Sequence, residues 1–155
     1  MTFAVRRFKM NETRAVAKLI YETVHRVCAA DYTPEQLDAW APPNMDTLRL
    51  MASLIKNYTL VATAGGVVVG VISTENDGYI NRLFTHYSYQ QRGIASALLL
   101  KTEQWAGKQG IRTLTLEASY TAIDFYIKKG FRITGTEKKV RNGVDFLNTK
   151  MIKDL

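Results

Sequence analysis

The sequence has very little cysteine and no long apolar segment. Cys28 is the single cysteine of 155 residues, so no disulfide can form within the chain and a reducing compartment is expected. Cys28 follows Val24 at helical spacing, which favours a place in the core over a role as a nucleophile. The most apolar stretch, Leu60 to Ile72, is too short and too rich in glycine and β-branched residues to span a bilayer. The first residues contain no apolar stretch of signal-peptide length, so the sequence predicts a cytoplasmic protein without membrane attachment.

Acidic residues are the next deficit: 14 Asp and Glu stand against 21 Lys and Arg, which gives a net charge of +7. Such a surplus favours an anionic partner, and charge alone leaves nucleic acid, a membrane surface and a phosphorylated cofactor open. The basic residues are scattered rather than arranged in a stripe, and no nucleic-acid-binding signature is present, so we expect no nucleic-acid partner. The length suits one domain with one core, and we predict a single domain over residues 1–155.

The order of predicted elements indicates a mixed α/β fold. The strand at 79–85, the long helix after it and the strand at 113–118 should form a parallel, right-handed crossover. The full set, in chain order, is a strand at 3–8, helices that begin after Asn11, Thr33 and Asp46, a hairpin at 59–73, the crossover with its helix ending near Lys108, a short helix at 121–129 and a hairpin at 131–152.

Four helix starts carry specific capping predictions, and Asn11 is the predicted cap of the first helix. Thr33 offers a capping hydroxyl and Gln36 completes a capping box, while Asp46 caps the next helix. Thr121 and Asp124 form a second predicted box at the start of the last helix. Helical spacing predicts that the helix after Asp46 buries the face formed by Leu48, Met51, Ala52 and Ile55.

The junction QQRGIAS, from Gln90 to Ser96, leads from a strand into the long helix without a conventional capping side chain. A helix N-terminus carries unpaired N–H groups and a partial positive charge, and both attract phosphate groups. Gly93 permits a tight turn, Arg92 adds a cation, and Ala95 is small enough to leave the backbone accessible. The junction is therefore either a pyrophosphate cradle or a tight turn with an exposed arginine.

The junction and two further segments resemble a known family, and this resemblance favours the pyrophosphate cradle over the tight turn. The pattern Gln90-x-x-Gly93-x-Ala95 resembles the acyl-CoA signature Q/R-x-x-G-x-G/A of the GNAT superfamily of N-acetyltransferases. LEASYTAIDFYIKKGF resembles the strand and helix that follow in that family, with Thr121 where the family usually has Asn. DYTPEQLDAWAP, residues 31–42, is similar to one branch of bacterial-type acetyltransferases. The resemblance covers the chain from Phe3 onward.

The resemblance implies an α/β fold whose central, mostly antiparallel twisted sheet contains a parallel β-α-β crossover at the cofactor site and is flanked by helices. It implies transfer of an acetyl group from acetyl-CoA to a primary amine by direct attack in a ternary complex, without a metal, in a chain that can form a homodimer. Lys128 and Lys129 are candidates for the 3′-phosphate of the cofactor. The residues that it places on the cofactor are Leu83, Phe84, Thr85, Gln91, Arg92, Gly93, Ile94, Ala95, Ser96 and Thr121.

By the same resemblance, Tyr126 is the general acid that protonates the leaving thiolate; the alternative is an ordinary aromatic core residue. A charged amine must lose a proton before it can attack, which calls for a carboxylate, a histidine or water as base. Glu117, at the end of the strand TLTLEA, is the first candidate for that base. Glu75, His25 and solvent remain open, and His86 is expected to be a surface residue.

The acceptor site is expected from the first helices and the hairpins. Asp31, Tyr32 and Trp40 are predicted to line one wall, and Tyr79 and Tyr120 the other, with half-buried packing as the alternative. A protein N-terminus, a lysine, a polyamine, an aminoglycoside and a small metabolite all remain open as acceptors. Two other classes stay as alternatives: a non-catalytic acyl-CoA-binding sensor and a basic nucleic-acid-binding module.

Overall fold

The computed structural model describes residues 2–155, and its order of elements agrees with the predicted one. The helices are α1 (Thr13–Val27), α2 (Pro34–Trp40), α3 (Thr47–Lys56), α4 (Ile94–Lys108) and α5 (Ile123–Lys128). The strands are β1 (Ala4–Arg7), β2 (Tyr58–Ala64), β3 (Val67–Thr74), β4 (Ile80–Thr85), β5 (Thr113–Ala118), β6 (Arg132–Arg141) and β7 (Val144–Asp154). Short 3₁₀ turns occupy Met10–Glu12, Cys28–Ala30, Tyr87–Tyr89 and Tyr120–Ala122.

Two antiparallel sheets, rather than one continuous sheet, form the centre of the fold. The first has the order β1-β2-β3-β4 and the second the order β5-β7-β6. Tyr79 and Thr115 join them through an isolated parallel bridge, and the Thr115 amide donates to the Gly78 carbonyl at 3.0 Å. The predicted parallel crossover from β4 through α4 to β5 is therefore confirmed. Within residues 2–155, no further ladder connects β4 to β5.

Gly78 makes the close approach at this bridge possible. Its φ of +95° lies in the left-handed region, and a Cβ there would come within 2.5 Å of the Thr113 carbonyl oxygen. A larger residue would push the two strands apart at the point where they meet. Gly78 therefore allows the two sheets to meet at the Tyr79–Thr115 bridge.

Helices cover both faces of the first sheet. Leu98 of α4 is fully buried with Leu60 of β2 on one face, while Val16 of α1 is buried with Val61 of β2 on the other. The strand β2 can be apolar at successive positions because each of its faces is covered by helices. The predicted core position of Cys28 is confirmed, since its side chain is buried in the second of these clusters.

Two of the predicted caps are confirmed. The Thr33 hydroxyl accepts from the Gln36 amide at 3.1 Å, and the Gln36 side chain accepts from the Thr33 amide at 3.0 Å. The Asp46 carboxylate accepts from the Arg49 amide at 3.1 Å. These contacts satisfy N–H groups at the starts of α2 and α3 and fix where both helices begin.

The capping predicted for Asn11 and for Thr121 is wrong. The first helix begins at Thr13, after a 3₁₀ turn that contains Asn11, and no side chain of its N-cap residue makes a capping bond. The helix α5 begins at Ile123 and has no side-chain cap. The Thr121 hydroxyl donates to the Asp31 carboxylate at 2.6 Å and does not form the predicted capping box with Asp124. A long-range side-chain partner has replaced the local cap in this case.

The predicted buried face of α3 is also wrong. Leu50 and Leu54 point into the core, whereas Leu48 and Ile55 are 73% and 52% exposed. Both faces of this helix carry apolar residues, so periodicity alone could not identify the face that meets α1 and β2. Packing against those elements selected the Leu50–Leu54 face.

Candidate active site

A cleft of about 1220 Å³ lies beside the bridge, with residues of both β4 and β5 in its wall. It continues under α2 and α3 and reaches the start of α5. The separation of β4 from β5 creates this space, because their backbones are not occupied by pairing with each other beyond the Tyr79–Thr115 bridge.

Eight of the predicted site residues line this cleft. They are Trp40, Leu83, Phe84, Thr85, Ala95, Glu117, Thr121 and Tyr126. The remaining predicted cofactor and acceptor residues do not line it, namely Asp31, Tyr32, Tyr79, Tyr120, Gln91, Arg92, Gly93, Ile94, Ser96, Lys128 and Lys129. Of this second group, the residues from Gln91 to Ser96 belong to the turn and first helical residues beside Ala95, so they are continuous with the cleft along the chain.

The start of α4 has the geometry expected of an anion cradle. Gln91 and Gly93 have φ values of +58° and +84°, and no side chain caps the helix. A Cβ placed on Gly93 would meet no atom within 4 Å, so the space outside the turn is open. Uncapped amides beside open space, with Arg92 nearby over the Tyr89 ring, fit a phosphate group.

The end of β4 is held to this turn by Gln90, a residue of the signature that was not predicted as a contact. Its side-chain nitrogen donates to the Thr85 carbonyl at 2.6 Å and to the His86 carbonyl at 3.3 Å. Thr23 of α1 also donates to the Thr85 carbonyl, at 3.1 Å. The Thr85 hydroxyl is buried and has no hydrogen-bond partner within residues 2–155. A buried hydroxyl without a partner is costly, so a polar ligand group at this place would relieve it.

A β-bulge in β4 orients the side chains of the wall. Ser73 pairs with Arg82 and Thr74 pairs with Ile80, so Asn81 is the extra residue. Ile80 consequently packs in the core on the α4 side, whereas Arg82 reaches α3 on the other face. Bulges commonly redirect side chains beside functional sites.

Tyr126, the predicted acid, is buried in the wall of the cleft. Its ring contacts those of Phe125 and Phe131, with centroids 5.3 Å away in both cases. Burial, together with the nearby Tyr79, raises the pKa of the Tyr126 hydroxyl above its usual range. The hydroxyl therefore keeps its proton at neutral pH, as a proton donor must.

Glu117, the first candidate for the base, is mostly buried, with 15% of its side chain exposed. Its carboxylate lies 3.4 Å from the Lys139 ammonium and 3.4 Å from the Asn148 side-chain nitrogen. Burial first, and then Glu117, raises the pKa of Tyr79 to about 12. Tyr79 thus lies close enough to both Glu117 and Tyr126 to influence each electrostatically.

The other base candidates lie outside the cleft wall. Nε2 of His25 is 2.8 Å from the Ala41 carbonyl oxygen, and Glu75 accepts from the Asn81 side chain at 2.8 Å. His86, expected at the surface, is partly buried and lies 3.3 Å from the Glu22 carboxylate. Glu117 is therefore the one of these candidates that the structure brings into the same cleft as Tyr126.

The predicted acceptor wall is divided by the structure. Trp40 lines the cleft, but Tyr32 is buried and its hydroxyl accepts from the Tyr120 amide at 2.9 Å. Asp31 holds Thr121 through the bond described above. Asp31 and Tyr32 together tie the segment before α2 to the turn before α5, and thereby support one side of the cleft.

Three arginines in the wall were not predicted, namely Arg49, Arg82 and Arg141. Arg82 donates to the Ser53 hydroxyl at 2.9 Å. Arg141 lies over the rings of Trp40 and Phe146, at 5.9 Å and 5.6 Å. Arg82 is the single charged residue of the strand at 79–85, and this was the available signal for it. Arg141 carried no such signal, because only the fold brings its hairpin to the cleft.

No cluster of three or more His, Cys, Asp or Glu side chains suited to a metal ion occurs in residues 2–155. The same part of the chain contains no helix whose length and hydropathy would let it cross a membrane.

Comparison with known proteins agrees with this architecture. The family model described as Acetyltransferase (GNAT) domain matches residues 28–154. The uncharacterized N-acetyltransferase YafP of Escherichia coli (strain K12) is 30% identical over 150 residues, which are 95% of this chain and 93% of that protein. This chain therefore belongs to the GNAT acetyltransferase family.

Two solved structures illustrate the fold. The crystal structure of a GCN5-related N-acetyltransferase from Rhodopseudomonas palustris superposes with a TM-score of 0.96 at 32% identity, and covers 100% of this chain and 97% of that one. The PaiA N-acetyltransferase from Thermoplasma acidophilum, solved in complex with coenzyme A, superposes with a TM-score of 0.85 at 20% identity and full coverage of both chains.

Proposed function

We propose that residues 1–155 act as one acetyl-CoA-dependent N-acetyltransferase domain that transfers the acetyl group directly to a primary amine. The observation that carries this proposal is the cleft between β4 and β5, whose wall contains both Glu117 and Tyr126 and which adjoins the uncapped start of α4. A hydroxyl that keeps its proton and a carboxylate in one cleft are the two groups that acyl transfer to an amine requires.

The donor side follows from the backbone. Amides from Gln91 to Ser96 are placed to hold the pyrophosphate of acetyl-CoA, as the open space outside Gly93 allows. The backbone of Leu83, Phe84 and Thr85 would hold the pantetheine arm as an added strand, and one N–H there would stabilise the oxyanion. Thr121 lines the same cleft. Acetyl-CoA supplies the activated acetyl thioester, and the PaiA complex supports binding of a coenzyme A moiety by this fold.

Tyr126 is the proposed general acid, which donates its proton to the leaving sulfur. Burial holds the hydroxyl protonated, so the proton is available throughout the neutral range. Glu117 is the proposed base, which accepts the proton of the attacking amine. Lys139 and Asn148 fix the orientation of its carboxylate. This proton-transfer step involves the amine of the acceptor and no other part of it.

A covalent route through cysteine has little support. Cys28 reaches the cleft wall, but its side chain is 5% exposed, and burial raises the pKa of its thiol. A thiol rather than a thiolate is a poor nucleophile. Direct attack by the amine on the thioester is therefore the mechanism that we propose.

The proposal is tested by thiol release from acetyl-CoA in the presence of a panel of primary amines, with mass-spectrometric detection of the acetylated product. Amine-dependent thiol release with equimolar N-acetyl product is the expected result. Tight binding of acetyl-CoA without transfer to any amine would instead identify a non-catalytic binding protein. The proton-transfer roles are separated by the variants of Tyr126 and Glu117 described in the Discussion.

A further inference from the structure

Three arginines and three carboxylates line the cleft, and the two groups differ in how they are engaged. Each acidic side chain already has a partner: Asp38 lies 3.8 Å from His25, Asp46 caps α3, and Glu117 pairs with Lys139. The arginines are Arg49, Arg82 and Arg141, and none of them makes an ion pair within residues 2–155.

Arg82 is the most constrained of these cations. It is half-buried on β4, and within residues 2–155 its side chain donates one hydrogen bond, to the neutral Ser53 hydroxyl. Burial first, and then the neighbouring Arg141, lowers the pKa of Arg82. The carboxylate that acts on it electrostatically is Glu75, which accepts from the Asn81 side chain. A guanidinium in such a place costs free energy unless an anion joins it.

Arg141 completes the arrangement from the opposite sheet. Its guanidinium lies over Trp40 and Phe146, and its charge reaches both Arg82 and Tyr79. Tyr79 in turn interacts with Glu117. Arg141 thus contacts Trp40, which was predicted to line the acceptor wall, and both arginines line the same cleft as the proposed base.

The donor does not account for these cations. Arg82 precedes Thr85 by three residues, which corresponds to about 10 Å along a strand, in the direction away from the start of α4. The phosphates of the donor are placed at that helix start in the proposed function. A second anion must therefore come from the acceptor.

Resting on the proposed function, we propose that Arg82 and Arg141 bind an anionic group of the acceptor, so that the substrates are primary amines that also carry a carboxylate or a phosphate. Guanidinium groups recognise both of these oxyanions through charge-assisted hydrogen bonds. Binding of that group beside Tyr79 would direct the amine toward Glu117. The residues determine which acceptor binds and take no part in proton transfer.

The test compares matched acceptors that differ in one charge. The pairs are an amino acid with its carboxamide and phosphoethanolamine with ethanolamine, and rates are expressed per neutral amine because the charge alters the amine pKa. We expect wild-type kcat/KM to favour the anionic member of at least one pair by about 10-fold or more, the range of a charge-assisted hydrogen bond. Which pair shows the preference distinguishes a carboxylate from a phosphate.

Arg82→Gln and Arg141→Gln should each remove this preference, while the affinity for acetyl-CoA is unchanged. Arg14→Gln, at an exposed position on α1, is the matched control and should retain the preference. Arg82→Lys keeps the charge and should retain part of it, which separates recognition from loss of folding. Equal use of both members by the wild type, or a preference that survives both Gln variants, would overturn the proposal.

A second readout does not depend on turnover. Inorganic phosphate and acetate are titrated into protein labelled with ¹⁵N-arginine, and the Nε–H resonances of Arg82 and Arg141 should shift while that of Arg14 does not. If no amine is acetylated, the proposed function fails. This titration still shows whether Arg82 and Arg141 bind an anion. Unshifted Arg82 and Arg141 resonances would then overturn the site as well.

Discussion

Tyr79 and Thr115 pair in a parallel bridge that joins two antiparallel sheets beside the candidate active-site cleft. Because β4 and β5 meet there and are not paired further along, their backbones and side chains form the walls of a space that can admit ligands. Tyr79 also interacts electrostatically with both Glu117 and Tyr126. One pair of residues therefore relates the architecture of the sheets to the proposed chemistry.

Gly78→Ala should destabilise the protein by roughly 1–3 kcal/mol, since the new Cβ would meet the Thr113 carbonyl at 2.5 Å and φ is +95°. The free energy of unfolding in urea measures the effect. Gly135→Ala is the control, because a Cβ at Gly135 has no neighbour within 4 Å and φ there is not in the left-handed region. Equal stability of the two variants would contradict the constraint assigned to the bridge.

Gly93→Ala should weaken acetyl-CoA binding, because an alanine is strained at a φ of +84° and would reshape the turn that presents the amides of α4. We expect the dissociation constant measured by calorimetry to rise about 10-fold, which is the effect of roughly 1.4 kcal/mol. Gly107→Ala, within the same helix, should leave binding unchanged and stabilise the fold slightly. The cradle assignment fails if Gly93→Ala binds acetyl-CoA as tightly as Gly107→Ala does.

Tyr126→Phe should lower kcat by about 100-fold, within the range of a lost general acid, with the KM for acetyl-CoA nearly unchanged. Tyr58→Phe, whose ring stacks on Trp105 away from the cleft, is the matched control and should retain activity. Steady-state kinetics over a range of pH provide the measurement. Unchanged turnover in Tyr126→Phe at every pH would remove this residue from the mechanism.

Glu117→Gln should lower kcat/KM for the amine, because the amide cannot accept the proton. Binding of acetyl-CoA should persist. Glu75→Gln changes the other candidate carboxylate, which lies outside the cleft wall and bonds to Asn81, and should preserve the wild-type kcat/KM. If Glu75→Gln is the impaired variant instead, the base has been assigned to the wrong residue.

Stability should fall at alkaline pH because the folded state holds the protons of Tyr79 and Tyr126 more tightly than the unfolded chain does. Both pKa values are raised from the ordinary value of 10.0, that of Tyr79 to about 12. The contribution is therefore fully present below pH 10 and is lost as pH rises through the folded-state values. Urea unfolding at pH 9 and pH 11 should show a smaller loss for Tyr79→Phe than for the wild type. An identical loss in both proteins would contradict the raised pKa.

The sequence predicted those features that depend on local chemistry. The Thr33–Gln36 box, the Asp46 cap and the hairpin at 131–152 are set by neighbouring residues, and the structure contains all three. The helix α3 was different, because it has apolar residues on both faces and only the position of α1 decides between them.

The candidate site shows the same division. Glu117 and Tyr126 were identified through their motif, and the structure places both in one cleft. Arg82 and Arg141 belong to separate sheets and are separated by 58 residues in the sequence. No local sequence pattern could therefore predict that they line the same cleft. Thr121 retained its place in the cleft but bonds to Asp31, a residue distant in sequence, rather than to its own helix.

The central claim is tested most directly in a single turnover, with acetyl-CoA bound first, an excess of amine added second, and the protein followed by intact mass. The account predicts that thiol release waits for the amine, that N-acetyl product forms in equal amount, and that the protein mass never increases by an acetyl group. Tyr126→Phe should slow this one turnover by about 100-fold. Thiol release before the amine is added, together with an acetylated protein, would contradict direct transfer in the cleft.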